Sequence, residues 1–388
     1  MDYSKILSKT VQAIPPSGIR KFFDIAAEMK DVVSLTVGEP DFVTPEHIRK
    51  VAIESLNRGE TKYSSNSGMI TLRQEIANYL ERRFSLKYDP AKEVIVTIGG
   101  SEAIDNSFRA LIEPGDEVII PLPAYVCYPP LVKVAGGVPV IINTQEKDKF
   151  KLTPEQLKAA ITPKTKLLVL PYPNNPTGAI MTKEDLEPIA EILRGTDIMV
   201  LSDEIYAELT YGREHVSIAS LPGMQERTIV VNGFSKAYAM TGWRMGFFAA
   251  PAPITAQILK LHQYAIMCAP TTSQYAAIEA IKNGDEDVAM MRDEYNKRRT
   301  MLVEGLRKIG ISVFEPEGAF YVFPNVGKFG LSSEEFCTRL LKEENVAIVP
   351  GTAFGDSGEG FARISYAYSV DHIKTALEKM EKFVAKLK

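Results

Sequence analysis

Cysteine is scarce in this 388-residue sequence, which contains three residues far apart: Cys127, Cys268 and Cys337. An odd, widely spaced set argues against a disulfide framework and against a cysteine-rich zinc site. Histidine occurs only four times, and no two histidines form an H-E-x-x-H pair. We therefore expect no bound metal and a protein that works in the reducing cytoplasm.

Long apolar runs and blocks of one charge are also absent. No run reaches the roughly 18 apolar residues of a membrane span, and the first residues, MDYSKILSKTVQ, lack the apolar core of a signal peptide. Lys and Arg number 45 against 49 Asp and Glu, which gives a formal net charge of −4 without a basic block. We therefore expect neither a membrane nor a nucleic acid as a partner.

The 45 % apolar content and the length predict a large core divided between about two domains. Six short apolar, β-rich runs alternate with helical patterns, at residues 94–98, 117–120, 138–142, 167–170, 198–202 and 228–231. The helical patterns include residues 102–112 and 183–193, the second with Thr182 as N-cap and Asp185 three residues later. Apolar strands separated by helices predict an α/β fold, with a mostly parallel sheet covered on both faces. Ligands of such sheets collect beyond the carboxyl ends of the strands.

The pattern changes after about Asn283. A long charged helical pattern at residues 286–308 leads to three short strand patterns, GAFYVF, VAIVP and ARISYAY, and to a last helix from Asp371. This order predicts a smaller α+β domain. We expect residues 1–45 to form an N-terminal arm and part of the small domain, residues 46–283 the large domain, and residues 284–388 the small carboxyl-terminal domain.

Two cations stand alone in a stretch of apolar and small polar residues. Lys236 and Arg244 are the only charged side chains in residues 228–259. Both could simply extend from a half-buried loop to solvent. Lys236, however, follows the predicted strand at 228–231, and a desolvated lysine at such a strand end loses its proton more readily and becomes a nucleophile.

The segment around these cations reads SKAYAMTGWRMG, from Ser235 to Gly246. It resembles the lysine signature of class I and II aminotransferases, the fold-type-I enzymes that use pyridoxal 5′-phosphate (PLP). The resemblance extends from about Ile14 to the carboxyl terminus. It implies that Lys236 holds the cofactor as a Schiff base and later carries a proton, and that Ser235 and Arg244 bind the cofactor phosphate. Arginine suits a phosphate because its guanidinium presents paired donors.

A buried carboxylate is needed to keep the pyridine nitrogen of PLP protonated. Asp203 follows the predicted strand at 198–202 and stands 33 residues before Lys236. An aspartate at a strand end is more often a helix cap or a turn residue. The interval and the surrounding SDEIY match the aspartate motif of the family, which implies the cofactor role for Asp203.

Two further residues match those that donate hydrogen bonds to the ring oxygen of PLP in the family. Asn175 lies in PNNPTG after the strand at 167–170, and Tyr206 lies three residues after Asp203. The first motif alone is typical of an ordinary turn. Donors at the ring oxygen would lower the proton affinity of the Schiff base and leave it reactive towards an amine.

The Gly99-Gly100 pair follows the strand at 94–98 and opens a helix, whose N–H groups and dipole favour an anion. A plain tight turn is the alternative for this pair. The resemblance implies that Gly100, Ser101 and Glu102 bind the phosphate, the last two through their backbone amides. It also implies that Tyr125 stacks on the pyridine ring, although an aromatic residue there could belong to the core.

Three residues resemble substrate-binding positions of the family. Arg363 matches the planar, bidentate clamp of the α-carboxylate, and Gly38 and Asn175 match positions that contact the same substrate. Without the resemblance, Arg363 could be a surface residue or part of an ion pair, and Gly38 a turn glycine. Tyr63 matches a tyrosine that reaches the phosphate of the neighbouring subunit, which implies a homodimer with shared active sites.

The resemblance implies an amino acid:2-oxo acid aminotransferase of ping-pong type, with pyridoxamine phosphate as the aminated cofactor and 2-oxoglutarate as the expected acceptor. Lys236, Asp203 and Tyr206 would be its catalytic residues. A PLP-dependent carbon–sulfur β-lyase on the same scaffold remains the alternative. A hydrolase is disfavoured because the G-x-S-x-G elbow is incomplete at Ala237. We do not expect a PLP-binding transcription regulator, which would need a basic DNA-binding domain ahead of the arm.

The amino donor is the least determined feature. Some relatives that act on dicarboxylates carry a lysine where this chain has Ser101. Apolar or aromatic residues are expected near the mouth of the pocket: Ile19, Phe22 and Tyr321. Among aromatic amino acids, aspartate and N-acetyl-diaminopimelate, we therefore expect a long or aromatic donor to be preferred to aspartate.

Overall fold

The structure, a computed structural model, describes residues 1–16, 18, 29 and 31–387. Its strands in chain order are β1 (Val33–Ser34), β2 (Val94–Ile98), β3 (Glu117–Leu122), β4 (Val138–Asn143), β5 (Thr165–Leu170), β6 (Met199–Asp203), β7 (Thr228–Gly233), β8 (Met245–Ala249), β9 (Ser312–Val313), β10 (Tyr321–Val322), β11 (Pro324–Asn325), β12 (Val346–Ala347), β13 (Val349–Pro350) and β14 (Ala362–Ser365). Its helices within the described ranges are α1 (Lys9–Gln12), α2 (Glu46–Asn57), α3 (Ile70–Phe84), α4 (Gly99–Leu111), α5 (Tyr128–Val134), α6 (Pro154–Ala160), α7 (Lys183–Leu193), α8 (Ala252–Ala265), α9 (Thr271–Asn283), α10 (Asp285–Lys308), α11 (Ser333–Glu344) and α12 (Val370–Leu387).

Seven strands form one sheet in the order β2-β8-β7-β6-β5-β3-β4. Neighbours pair in parallel except at β8, which is antiparallel to both β2 and β7. The six predicted strands are present as β2 to β7, with ends that differ from the prediction by at most two residues. The predicted α/β class and mostly parallel sheet are confirmed. Strand β8 was not predicted.

The alternation of apolar side chains along each strand explains why this sheet is covered on both faces. In β3, Val118 belongs to the core cluster that contains Phe108 of α4, whereas its neighbour Ile119 belongs to the cluster that contains Leu186 of α7. Both strand residues are fully buried. Helix α7 has the predicted bounds, and the predicted capping box of Thr182 and Asp185 is confirmed. The sheet is therefore a buried layer between helices.

The residues after 284 form short strands and long helices around a separate apolar cluster. Strands β10, β14 and β13 form a three-stranded antiparallel sheet, and β9 pairs with β11. Strand β1, from the beginning of the chain, pairs in parallel with β12. The cluster contains Leu35 together with Leu302 of α10 and Phe383 of α12. The N-terminal segment after residue 31 thus packs with the carboxyl-terminal elements. The two boundaries between the predicted ranges, at 45/46 and 283/284, stay a prediction.

The topology fixes where a ligand site can form. Strands β2, β3, β4, β5, β6 and β7 run in the same direction, so their carboxyl ends meet at one edge of the large sheet. The predicted site residues Ser101, Asn175, Asp203 and Lys236 lie at or just beyond such ends. Among the residues that the structure describes, no helix has the length and apolar character required to cross a membrane.

Candidate active site

A cavity of about 770 Å³ lies at this edge of the sheet. All the predicted site residues except Glu102 and Tyr63 line it: Gly38, Gly100, Ser101, Tyr125, Asn175, Asp203, Tyr206, Ser235, Lys236, Arg244 and Arg363. These residues come from the N-terminal segment, the strand ends of the large sheet and β14 of the small sheet. The fold therefore brings together side chains that are far apart in the sequence.

Lys236 follows β7, and its amine donates a 2.7 Å hydrogen bond to the carbonyl oxygen of Gly38. Burial lowers the pKa of Lys236 to about 8; the carboxylate of Glu39 opposes this shift, and the cations of Arg363 and Arg244 add to it. A lysine with this pKa exists partly as the free amine near neutral pH. Lys236 can therefore act as a nucleophile and as a proton carrier.

The N-terminus of α4 and Arg244 form one anion-binding corner of the cavity. Gly99 allows the guanidinium to approach the helix, because a Cβ at this position, where φ is +70°, would lie 2.7 Å from Nη2 of Arg244. Gly246 of β8 is equally constrained, since a Cβ there would lie 2.5 Å from the carbonyl carbon of Gly99. No carboxylate pairs with Arg244 in the described part of the chain, so its charge is available to an anion at the helix end.

Glu102 does not line the cavity. Its carboxylate accepts hydrogen bonds from the backbone N–H of Ile98 at 2.6 Å, from Asn106 at 3.0 Å and from Nδ1 of the fully buried His262 at 2.6 Å. The side chain thus secures the start of α4. Only the backbone of Glu102 is left to bind an anion, which is the role that the family resemblance implied for it.

Asp203 ends β6 and is almost completely buried. Burial raises the pKa of Asp203, and hydrogen bonds from the Tyr128 hydroxyl, at 2.6 Å, and from the Ile205 N–H, at 3.3 Å, only partly oppose this. No lysine or arginine among the described residues forms an ion pair with it. A cationic N–H beside this carboxylate would favour its ionised form.

Two supports of this aspartate were not predicted. Tyr128 begins α5, and its one sequence signal is its nearness to Tyr125, three residues earlier in the same loop-to-helix segment. Glu204, next to Asp203, is fully buried and accepts hydrogen bonds from Ser202, at 2.8 Å, and Ser217, at 2.6 Å. These contacts fix the end of β6 and so the direction of Asp203.

Tyr206 lines the cavity, and its hydroxyl lies 2.8 Å from the hydroxyl of Tyr321 on β10. Tyr321 also lines the cavity, but it is fully buried, so its predicted place near the mouth is wrong. The strand pairing of β10 with β14 explains this, because it holds the residue inside the small sheet beside Arg363. Ile19 and Phe22, the other two residues expected there, lie outside the described residues.

Arg363 of β14 is 2 % exposed. Its Nη1 donates a 3.0 Å hydrogen bond to the amide oxygen of Asn175, and its Nη2 donates to the carbonyl oxygen of Thr36. The guanidinium stacks on the ring of Tyr321, 4.6 Å from the ring centre. Its Nε is buried and has no hydrogen-bond partner within the described ranges. Because a buried donor without a partner is unfavourable, Arg363 is arranged to receive an anion such as a carboxylate.

Tyr63 lies outside this cavity. Its side chain is 81 % exposed and lines a second depression with residues of the segment 265–272, which runs from the end of α8 to the start of α9. Tyr264, the residue just before that segment, is 93 % exposed. The structure of one chain therefore does not bring Tyr63 together with the other predicted site residues.

The groups that PLP carries fit the residues of the cavity. A phosphate requires cations and N–H groups, which the α4 N-terminus and Arg244 supply. A protonated pyridine nitrogen requires a buried carboxylate, which Asp203 supplies, and a ring oxygen requires donors, which Asn175 and Tyr206 supply. The aldehyde requires an amine, and Lys236 lies among these groups.

The comparisons with known proteins agree with this fit. The family model for aminotransferase class I and II matches residues 30–380. The chain is 53 % identical over 380 residues to a Bacillus subtilis protein, YugH, that carries an aminotransferase name, with 98 % of each chain covered. It is 46 % identical over 385 residues to an aspartate aminotransferase of Pyrococcus abyssi, with 98 % of this chain and 99 % of that one covered.

A solved structure, the aromatic aminotransferase from Pyrococcus horikoshii, superposes with a TM-score of 0.90 at 44 % identity, with 95 % of this chain and 100 % of that one covered. The names of relatives include aspartate, aromatic-amino-acid and N-acetyl-LL-diaminopimelate aminotransferases. The family resemblance seen in the sequence and the type-I fold that it implies are thus confirmed. The chain belongs to the class I and II aminotransferases and is a PLP-dependent enzyme of that family.

Proposed function

We propose that the enzyme transfers the amino group of an α-amino acid to a 2-oxo acid in two half-reactions of ping-pong type, with 2-oxoglutarate as acceptor. One observation carries this proposal: the amine of Lys236 and the guanidinium of Arg363 line the same cavity, and Gly38 connects them. Gly38 accepts the hydrogen bond of Lys236, and its backbone abuts the hydroxyl of Tyr321, on whose ring Arg363 stacks.

In this proposal the α-carboxylate of the substrate is bound by Arg363, Asn175 and Gly38. Nε of Arg363 is the donor that lacks a partner, and the hydrogen bonds to Asn175 and Thr36 hold its plane. A planar guanidinium fixes the orientation of a carboxylate as well as its position. The α-carbon of the amino acid is then held towards Lys236.

When bound, PLP supplies an electron sink that stabilises negative charge at the α-carbon. Gly100, Ser101, Ser235, Arg244 and the backbone of Glu102 are proposed to bind its phosphate, and Tyr125 to stack on its ring. Asp203 keeps the pyridine nitrogen protonated, since burial favours pairing of this carboxylate with a cationic N–H. Tyr206 and Asn175 donate hydrogen bonds to the ring oxygen. For Asn175 the donor is the amide N–H, because the amide oxygen already accepts a hydrogen bond from Arg363.

Lys236 is the group proposed to move the proton. Its pKa of about 8, set by burial, lets the released amine take a proton from the α-carbon near neutral pH. Protonated Lys236 can then deliver that proton to the cofactor carbon. The same residue therefore serves first as a nucleophile and then as an acid and base.

A long or aromatic amino donor is proposed over aspartate. The cations that line the cavity within the described ranges are Lys236, Arg244 and Arg363, and each already has a proposed partner. Ser101 stands where some dicarboxylate-specific relatives carry a lysine, and Val37, Ile104 and Val126 add apolar surface. An apolar lining favours an apolar side chain over a second carboxylate.

A single-turnover experiment tests the reaction type. Holoenzyme mixed with one amino acid and no acceptor should yield about one 2-oxo acid per site with the donor side chain intact and no ammonia, because the amino group stays on the cofactor. Repeated turnover with release of ammonia from a cysteine conjugate would instead support a carbon–sulfur β-lyase.

Steady-state kinetics test the donor. With 2-oxoglutarate as acceptor, phenylalanine, tyrosine or N-acetyl-diaminopimelate should exceed aspartate in kcat/KM. An advantage of aspartate over all three by more than roughly tenfold would contradict the proposed preference.

A homodimer with shared active sites is proposed from the surface around Tyr63. Tyr63 lines the second depression and is exposed, and Tyr264 and Met267, which flank the lining residues Ala265 and Ile266 in the sequence, are exposed as well. In the proposed dimer, Tyr63 reaches the cofactor phosphate of the other subunit. Tyr63→Phe should weaken PLP retention, and a monomeric form with full activity would contradict shared sites.

The organisation into an arm with part of the small domain (1–45), a large domain (46–283) and a small domain (284–388) is also proposed. The pairing of β1 with β12 and the confinement of the large sheet to residues 94–249 support it. A cytoplasmic location is proposed because the three cysteines are all free, as in a reducing compartment.

A further inference from the structure

Tyr321 occupies the junction between the cofactor end and the substrate end of the cavity. Its hydroxyl lies 2.8 Å from that of Tyr206, and a Cβ at Gly38 would lie 2.5 Å from the same oxygen. Tyr321 is fully buried and Tyr206 nearly so. The two phenols therefore lie against each other and are shielded from bulk water.

A count of hydrogens decides which phenol donates. Each phenol carries one hydrogen, and in the pair alone either oxygen could donate. If Tyr206 donates its hydrogen to the ring oxygen of the cofactor, as the proposed function requires, the short contact is a hydrogen bond only when Tyr321 donates to Tyr206. A chain of two donors then points at the ring oxygen.

We propose that Tyr321 is a positioning residue that orients and strengthens the hydrogen bond from Tyr206 to the cofactor ring oxygen, an inference that rests on the proposed function. Hydrogen bonds in such chains polarise one another inside a protein, so the hydrogen of Tyr206 becomes a better donor. More negative charge is then stabilised on the ring oxygen. This lowers the proton affinity of the nitrogen that joins the cofactor to Lys236.

The hydroxyl and the ring of Tyr321 have separable contacts. The hydroxyl meets Tyr206, whereas the ring carries the guanidinium of Arg363 at 4.6 Å. Tyr321→Phe removes the first contact and keeps the second. It should therefore change the cofactor linkage without changing the affinity for a carboxylate ligand.

A pH titration of the visible absorbance of the holoenzyme, without substrate, tests the proposal. The midpoint reports protonation of the nitrogen linked to Lys236. Tyr321→Phe should raise this midpoint by about 0.3 to 1 pH unit, because the variant loses a hydrogen bond to Tyr206 and not one to the cofactor itself. Tyr206→Phe should raise it further.

The double variant gives the sharpest result. Because Tyr321 acts through Tyr206, the Tyr206→Phe/Tyr321→Phe midpoint should equal that of Tyr206→Phe alone. A matched control is Tyr366→Phe, which removes an equally buried hydroxyl whose bond goes to the Ala319 carbonyl instead, and it should leave the midpoint unchanged.

Two outcomes overturn the proposal: no shift in Tyr321→Phe, or a further shift in the double variant. The dissociation constant of succinate, measured with the same proteins, should stay within about twofold in Tyr321→Phe, and a large increase would mean that the hydroxyl acts on Arg363 instead. Borohydride reduction of a separate, untitrated sample of each protein separates this inference from the proposed function. Labelling absent from Lys236 defeats the function itself, whereas labelled Lys236 with an unmoved midpoint defeats only the role of Tyr321.

Discussion

The amide oxygen of Asn175 accepts a 3.0 Å hydrogen bond from the guanidinium of Arg363 and thereby links the loop after β5 to β14 of the small sheet. Both residues line the cavity. In the proposed function, this amide oxygen holds the cation that binds the substrate carboxylate, and the amide N–H groups remain available to the cofactor and the substrate.

Asn175→Ala should lower kcat/KM for every amino donor by about 10- to 100-fold, because a buried guanidinium loses a charge-assisted hydrogen bond. Steady-state kinetics with an aromatic donor and with aspartate measure this. A loss confined to one donor would mean that Asn175 contacts a side chain and not the shared carboxylate machinery.

Tyr128→Phe should lower kcat by about tenfold. Burial already raises the pKa of Asp203, and loss of the 2.6 Å bond from Tyr128 would raise it further, so the carboxylate would hold a cationic N–H less well. Equal rates for Tyr128→Phe and wild type would show that this hydroxyl does not act on Asp203.

Asp203→Asn, which removes the charge, should lower kcat by at least roughly 10²-fold while PLP stays bound.

Gly246→Ala should raise the dissociation constant of PLP by at least about tenfold. Its Cβ would lie 2.5 Å from the Gly99 carbonyl carbon, so the start of α4 must move, and such overpacking typically costs about 1–3 kcal/mol. Gly242→Ala is the matched control, because a Cβ there meets no atom within 4 Å. Equal PLP affinities of the two variants would contradict the role of the tight turn.

The stability contributed by His47 should depend on pH. Nδ1 lies 2.7 Å from Glu279 and Nε2 lies 2.9 Å from Asp287, which joins α2 to α9 and α10. Desolvation lowers the pKa of His47, but the hydrogen bonds to the two carboxylates outweigh it, and the net pKa is raised from 6.5. The raised pKa means that this stabilisation is fully present below about pH 6.5, the usual histidine value, and is lost as the pH rises through the folded value.

His47→Gln should therefore reduce the free energy of unfolding more at pH 6 than at pH 9. The difference should be at most about 1 kcal/mol and should shrink with salt, because the side chain is partly exposed. Chemical denaturation at the two pH values measures it. A larger loss at pH 9 than at pH 6 would reverse the sign and contradict the ion-pair account.

The sequence predicted those parts of the fold that depend on local pattern. The apolar runs of β2, β3, β5, β6 and β7 are largely buried, so composition alone marks them, and Thr182 with Asp185 marks the start of α7. Strand β8 (Met245–Ala249) escaped prediction because it begins inside the signature that carries Arg244, and its Gly246 is an unfavourable strand residue.

The contacts that shape the cavity are not local, and the sequence could not provide them. Tyr128 and Asp203 are 75 residues apart, and Tyr206 and Tyr321 are 115 apart. Pairing of this kind depends on which segments the fold brings together: Tyr128 of α5 reaches Asp203 at the end of β6, and Tyr321 of β10 reaches Tyr206 after β6. No periodicity encodes this. The motif residues Asp203 and Tyr206 could be recognised in the sequence. The side chains that contact them, Tyr128 and Tyr321, could be identified only from the structure.

Identification of the modified lysine tests the central claim most directly. Purified holoenzyme should be yellow, and borohydride reduction followed by proteolysis and mass analysis should place the pyridoxyl group on Lys236, the lysine beside Gly38 in the cavity. A pyridoxyl group found on any other lysine, with Lys236 unmodified, would contradict the account.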